Sequence, residues 1–513
     1  MTRYRHLITD DNRKWWTLGA MCFALFMVML DNTVVNVALP SIQRDLDADI
    51  GDLEWIVNGY TLTFAVLIAT GGRLGDIFGR RSMFLLGVVI FALTSATAGL
   101  AVNSEMLIAS RAVQGIGAAL MMPATLSIVT NAFPAAERGK AIGTWAGVSA
   151  LALSIGPVVG GFLTEHVGWQ AIFFINLPVA AGAVVATLFA VTESRDDSVD
   201  RTVDYPGVIA LTAGLTAIVF ALIEGNAWGW SSPEILGLFV GGAAALVAFG
   251  FIETRSRAPM VEFGLFKSKQ FIGSNLVAFI ITFAMMGSFF FLALYMQDIL
   301  GYGALEAGIR FLPTTVVIAV IAPMAGRLSD RFGPVWPMGI GLAILSVSMF
   351  LFSLIDIDTT YSGLIVPFIL LGVGIALVMS PMSTAAMNAV RVQKAGVASG
   401  VLQMSRMVGG TVGVAATGAI FQAELGSGFD PAALVGAPDA AQAVFVDALS
   451  SAMLLAAAVS VVGLVIAVTL LRGGRPERPA GPGAPDRPPA QAIAEPTVPA
   501  PAEVARPTAG QRA

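Results

Sequence analysis

The chain has 513 residues, 56% of them hydrophobic and only 12% charged, against roughly 45–50% and about 25% in soluble domains. With a mean hydropathy of +0.79, that balance excludes an ordinary soluble protein and points to an all-α integral membrane protein. The net charge of −5 excludes little, because in a membrane protein the placement of charge along the chain matters more than its sum.

Residues 1–14 make a basic tail. The first apolar run is ~20 residues long, full spanning length, and lacks a small-residue cleavage site behind a short core, so it is expected to be a retained helix. Apolar runs then predict fourteen spans, near 15–38, 54–72, 83–102, 105–131, 139–163, 170–191, 205–224, 233–253, 271–297, 306–326, 335–355, 361–388, 395–421 and 448–471. Alternate connections hold nearly all the cations: Arg73, Arg80, Arg81, Arg138, Lys140, Arg195, Arg201, Arg255, Arg257, Lys267, Lys269, Arg327, Arg331, Arg391, Lys394 and six arginines after Leu471. The opposite set has Arg44 alone. Basic loops are retained in the cytoplasm, so both termini are expected there, which an even number of spans satisfies. The loop "SIQRDLDADIGDLE" is then external and acidic. The external loop 423–447 has some helical potential in "DAAQAVFVDALS", and residues 472–513, Pro- and Ala-rich, read as a disordered cytoplasmic tail. Twenty-four arginines against five lysines, with abundant Ala, Gly and Pro, suggest a GC-rich bacterial genome. Cys22, the one cysteine, sits in an apolar run and excludes an intrachain disulfide.

The segment "GRLGDIFGR" at 72–80 recurs as "GRLSDRFGP" at 326–334, each after a second span. This repeat divides the chain into an N-terminal six-helix half (15–191), two inserted helices with flanking loops (192–269) and a C-terminal six-helix half (270–471).

Within the spans, polar residues stand out in chain order. Asp31 interrupts the first span, and a central carboxylate costs ~2.5–3.5 kcal/mol on insertion scales, so it is a functional candidate. Asn32 and Asn36 lie one turn apart and can bind substrate or join helices. In "GGRLGDIFGRR", Gly72 permits close helix approach, Asp76 can bond the amides opening the next helix, and Arg80 and Arg81 can pair across a seam between halves. The plain alternative is a tight turn with retained positive charge. Arg111, with Gln114 nearly a turn on, falls at a depth comparable to Asp31, so the two are candidate partners. Pairing favours an ionised carboxylate and burial a protonated one, so opening such a pair to water on alternate sides can move a proton. A static ion pair is the competing reading.

The fifth span, "GTWAGVSALALSIGPVVGGFL", spaces Gly143 and Gly147, then Gly156 and Gly160, four apart, with Gly161 beside them and Pro157 as a bend; small-residue packing is the default account. Glu224 falls near the outer end of the seventh span, and Arg310 near that of the tenth, where it could meet Asp298 or Glu306. Arg406 lies near the middle of the thirteenth and must face the cavity or a buried acceptor. In the second copy of the repeat, Gly326 and Asp330 match Gly72 and Asp76. No GxxxxGK[ST], HExxH or GxSxG occurs, which argues against an ATP-driven pump or a histidine-dependent hydrolase, and no metal site is predicted. Scattered basic residues make nucleic acid an implausible partner.

Together, "LDNTVVNVALP", "GRLGDIFGRR", "RAVQGIGAA" and "GPVVGG" resemble the signature set of the major facilitator superfamily, specifically its fourteen-helix drug:proton antiporter family, over residues 15–471. The resemblance implies two six-helix bundles plus two inserted helices in the bacterial cytoplasmic membrane. It implies proton coupling at Asp31 and Arg111, and a cavity for amphiphilic small molecules to which Asn32, Asn36, Gln114, Glu224 and Arg406 are candidates. It also implies a cytoplasmic gate at Gly72, Asp76, Arg80, Gly326 and Asp330, and an antiporter helix at Gly147, Gly156, Pro157, Gly160 and Gly161 that marks export. Some dication-exporting members of this family resemble one another in having a carboxylate within the tenth span; from Ile309 to Gly326 there is none. The expected protein is a monomer in the lipid bilayer, needing no cofactor beyond the proton gradient. Export of one endogenous metabolite, and a non-transporting receptor on the same scaffold, remain alternatives.

Overall fold

The computed structural model describes residues 9, 12–134, 137–195, 202–256, 259–390, 395–425 and 439–471. The predicted tail at 472–513 and most of that at 1–14 lie outside the described residues. Among the described residues sixteen α-helices run α1 Arg13–Leu46, α2 Ile50–Phe78, α3 Arg80–Gly99, α4 Ser104–Ala132, α5 Arg138–His166, α6 Ala171–Phe174, α7 Asn176–Ala190, α8 Tyr205–Trp228, α9 Pro233–Arg255, α10 Lys269–Leu294, α11 Ala304–Arg310, α12 Leu312–Phe332, α13 Val335–Phe352, α14 Tyr361–Asn388, α15 Ala395–Leu425 and α16 Asp439–Leu470. Starts are set by short polar side chains at the boundary: Asp49, Asn103, Asp204, Ser232 and Ser268 each accept an N–H from the first turn of α2, α4, α8, α9 and α10. The segment "DAAQAVFVDALS" is helical and opens α16.

Thirteen helical segments among the described residues are long and apolar enough to cross a membrane. Three are compound: α6 continues into α7, α10 into a π-helical turn at Tyr295–Ile299, and α11 into α12. The fourteenth predicted span is α15, whose 31 residues reach ~46 Å at ~1.5 Å per residue. Its glycines, serines, threonines and Arg406 dilute its hydropathy.

Helix pairing in the first half recurs in the second. Contacts of α2 with α4, α3 with α4, α1 with α5 and α1 with α7 correspond to those of α12 with α14, α13 with α14, α10 with α15 and α10 with α16. The extra helices α8 and α9 pack on each other, and α8 touches α2 and α15, one helix from each half. Between halves, α2 meets α15, and α5 meets α11 and α12.

Among the described residues, the hydrogen bonds across these seams gather toward one end. Along a single face of α5, Ser154 Oγ donates to the Thr315 carbonyl at 3.4 Å, Gly161 presses against the Ala304 backbone, and Glu165 accepts the Leu305 N–H at 2.8 Å. Further down the same face, Gly147 and Gly143 have nothing within 4 Å of a built Cβ. On the other seam, Gln422 bonds Glu54 at 3.0 Å and Thr411 bonds Thr61 at 2.9 Å, while Gln297 Nε2 reaches the Val37 carbonyl at 2.9 Å. Among the described residues no hydrogen bond joins the halves nearer the opposite end. The hydrogen bonds and close contacts between the halves therefore lie toward the end bearing residues 47–49 and 300–303, away from the two copies of the repeated motif.

Candidate functional site

Asp31 of α1 and Arg111 of α4, 80 residues apart, form an ion pair at 2.5 Å. Both are buried, at 0% and 1% exposure. Isolated charges at such a place would cost several kcal/mol each, so the surrounding hydrogen bonds decide whether the pair is tolerable. Asp31 Oδ1 accepts from Gln114 Nε2 at 3.1 Å and from Asn176 Nδ2 at 3.0 Å. Arg111 also donates to Gln114 Oε1 at 2.7 Å and to the Ile56 carbonyl of α2 at 3.2 Å. Its guanidinium stands 4.3 Å from the Tyr60 ring centre and 5.7 Å from that of Phe173, so two aromatic faces add cation–π attraction. Ser95 of α3 closes the network, accepting from Asn176 at 2.9 Å and donating to the Phe173 carbonyl at 2.9 Å.

Neither Ser95 nor Asn176 emerged from the sequence. Asn176 reaches Asp31 because the sixth span breaks between α6 and α7, placing the amide at the start of α7. A polar residue two positions before Pro178, inside an apolar run, was the available signal.

The remaining predicted residues distribute as follows. Gln114 is fully buried within the Asp31 network and lines no open space. Asn32 is partly exposed, whereas Asn36 is buried and donates to the Asn32 carbonyl at 3.5 Å. Glu224 accepts from Trp55 Nε1 at 3.2 Å near the closed end. Arg310 pairs with Glu306 and stacks on Tyr302 and Tyr361. Arg406 donates to Gln403 Oε1 at 3.3 Å, and its Nε is buried without a partner among the described residues.

At the repeated motif, Asp76 pairs with Arg80 in its own half at 2.9 and 3.0 Å. It does not cap the next helix. That role falls to Glu193, which accepts the Arg81 and Ser82 N–H groups at 3.0 and 3.1 Å. Arg81 Nη2 bonds the Leu188 carbonyl, also within its half. Gly79, at φ +109°, has to be glycine: a Cβ would fall 2.6 Å from the Glu193 carboxyl carbon. Gly72 has only ordinary contact with Pro123; the close approach in this segment is Gly71 against the Ala119 carbonyl. Gly326 abuts Ser380 Oγ, and the Asp330 side chain lies outside the described residues. In α5, Gly156 and Gly160 sit against Thr33 and Val34 of α1, Pro157 presents its carbonyl to Gly308, and Gly161 meets α11, while Gly147 faces open space.

A further carboxylate, Glu54 of α2, is fully buried at the α2–α15 seam. Oε1 accepts from Gln422, Oε2 has no hydrogen-bond partner among the described residues, and a Cβ on Gly418 would fall 1.9 Å from Oε1. In the sequence it looked like the edge of an external loop.

Comparison with known proteins places this geometry. A profile of the Major Facilitator Superfamily matches residues 21–414. The chain is 36% identical over 417 residues to the tetracenomycin C resistance and export protein of Streptomyces glaucescens, covering 81% of this chain and 78% of that one. It is 36% identical over 435 residues to a puromycin resistance protein of Streptomyces alboniger, covering 83% and 86%. With the multidrug resistance protein Stp of Mycobacterium tuberculosis it shares 34% over 428 residues, 83% and 79% of the two chains. Among solved structures, a bacterial homolog of the human lysosomal transporter Spinster, inward-facing and unoccupied, superposes with a TM-score of 0.65 at 18% identity, over 90% of this chain and 97% of that one. An auto-inhibited POT family peptide transporter does so at 0.65 and 15%, over 91% and 99%. The chain belongs to the Major Facilitator Superfamily of membrane transporters, and its curated relatives include an antibiotic resistance and export protein and proteins named for puromycin and multidrug resistance.

Proposed function

We propose that the protein is a proton-coupled antiporter that exports amphiphilic drugs or antibiotics across the bacterial cytoplasmic membrane by alternating access. The observation that carries this reading is the fully buried Asp31–Arg111 pair with its Gln114 and Asn176 donors, in a chain whose relatives include an antibiotic resistance and export protein. A proton on Asp31 would release Arg111 Nη1, and the guanidinium retains Gln114 and the Ile56 carbonyl as alternatives. Because the network ties α1 to α3, α4 and α7 and touches α2, its protonation state can bias how that half sits against the other. The electrical gradient supplies ~2.3 kcal/mol per charge per 100 mV. With the arginine-rich loops in the cytoplasm, the closed end faces outside, the cavity faces inward, and Asp76, Arg80, Gly326 and Asp330 belong to the gate that closes next. The proposed unit is a monomer driven by the proton gradient alone.

Relatives named for one compound, such as the tetracenomycin and puromycin proteins, favour as a second reading a dedicated exporter of the same mechanism. A broad or narrow resistance spectrum on expression separates the two. Coupling is tested in proteoliposomes by following the fluxes of protons and of a neutral fluorescent amphiphile for the native protein and Asp31→Asn. The native protein should couple them and the variant should not; identical behaviour would make the carboxylate structural and remove the basis of the proposal.

A further inference from the structure

Arg406 is placed to do something that the buried network does not. It follows Ala395, the first residue of α15, by eleven positions, ~17 Å into the span at ~1.5 Å per residue. Its direction follows from the contacts of its helix. Gly409 and Gly413 press on the Phe279 and Phe283 carbonyls of α10, Thr411 and Gly418 meet Thr61 and Glu54 of α2, and the Ala419 carbonyl accepts from Asn226 of α8. At ~100° per residue from Gly409, α10 occupies about 0–40°, α2 about 180–200° and α8 about 280°. Arg406 and Gln403 then fall at about 60° and 120°, between the two halves and opposite the outer hairpin.

The charge balance of that space is equally specific. Asp31 shows no surface to it, its oxygens taken by Arg111, Gln114 and Asn176. Glu54 and Glu224 lie at the closed end and are held by Gln422 and Trp55. From Leu312 to Gly326, α12 contributes no carboxylate. Arg406 is partly accessible, spends Nη1 on Gln403, leaves Nε unpartnered, and forms no ion pair among the described residues. The surface beside it is apolar and adaptable: Met286 packs on Gly410 one turn along. An unpaired guanidinium at this depth is costly unless an anion completes it.

We infer that Arg406, with Gln403, forms the cavity subsite for the acidic group of an amphiphilic substrate, so that the protein selects carboxylate-bearing amphiphiles over cationic ones. This assignment rests on the export reading, and a binding assay separates the two. The purified protein in non-ionic detergent is titrated with 1-pyrenebutyrate, its methyl ester and ethidium, followed by fluorescence anisotropy. The native protein should bind the acid at least about tenfold tighter than the ester, the scale of a charge-assisted hydrogen-bond pair. Arg406→Gln should bring acid and ester together while still binding the ester, and Arg406→Lys should retain part of the preference. Ester binding and monodisperse elution report whether each variant is folded. Equal binding of acid and ester by the native protein, or an undiminished preference in Arg406→Gln, overturns the assignment. So does Arg406-dependent displacement of the acid by phosphatidylglycerol, which gives the subsite to a lipid headgroup. Transport of the ester by native protein in liposomes tests export by itself; its failure defeats that reading and leaves the binding result standing.

Discussion

Replacing Gly161 by alanine should push the protein out of the conformation described here. A Cβ at that position would stand 2.4 Å from the Ala304 carbonyl oxygen and 2.7 Å from the Leu305 Cα, both backbone atoms of α11. Backbone cannot swing aside as a side-chain tip can, so α5 and α11 must separate. Overpacking of this kind costs about 1–3 kcal/mol, which shifts a two-state equilibrium about 5- to 150-fold. The strain exists only while this end of the seam is closed, so the opposite conformation gains by that factor. Gly182, with nothing within 4 Å of a built Cβ, provides the matched control. Spin labels on cysteines at Val102 and Leu354, exposed positions at the closed ends of the two halves, report the separation after Cys22 is replaced by alanine. Gly161→Ala should enlarge the long-distance population and Gly182→Ala should not. Indistinguishable distance distributions for the two would refute the steric argument and with it the reading of this end as the closed one.

Two further outcomes follow from the buried polar groups. Removing one partner of a buried ion pair leaves an uncompensated charge and costs about 3–5 kcal/mol; Arg111→Gln should therefore lower the unfolding temperature in detergent more than the double variant Asp31→Asn/Arg111→Gln does. A double variant less stable than Arg111→Gln would show that the pair is not what holds the network. Gly418→Ala collides with the Glu54 carboxyl, and Glu54→Ala removes the colliding group. A double-mutant cycle on stability should show the second change relieving the first, whereas simple additivity would mean that the two helices do not meet there.

The difference between what was legible and what was not shows in particular residues. Asp31 and Arg111 announced themselves because charge inside an apolar run is rare and expensive. Ser95 and Asn176 complete the same network and gave little sign, since small polar residues in spans are common and cheap. Glycines of α5 illustrate the limit: Gly143, Gly147, Gly156 and Gly160 share one spacing, yet the first two face open space and the last two pack on Thr33 and Val34. Asp76 looked suited to capping the following helix, but Glu193, more than a hundred residues on, takes the two amides.

Sequence by itself determined the membrane environment, the spans, the internal repeat and the strongest functional candidates. Those properties act one helix at a time: hydropathy sets insertion and loop charge biases orientation. Only the tertiary structure decided which polar groups meet, which glycines bear contact, which carboxylates are hidden and which way Arg406 points. Such choices depend on how helices distant along the chain pack and rotate against one another, and no single helix carries that information.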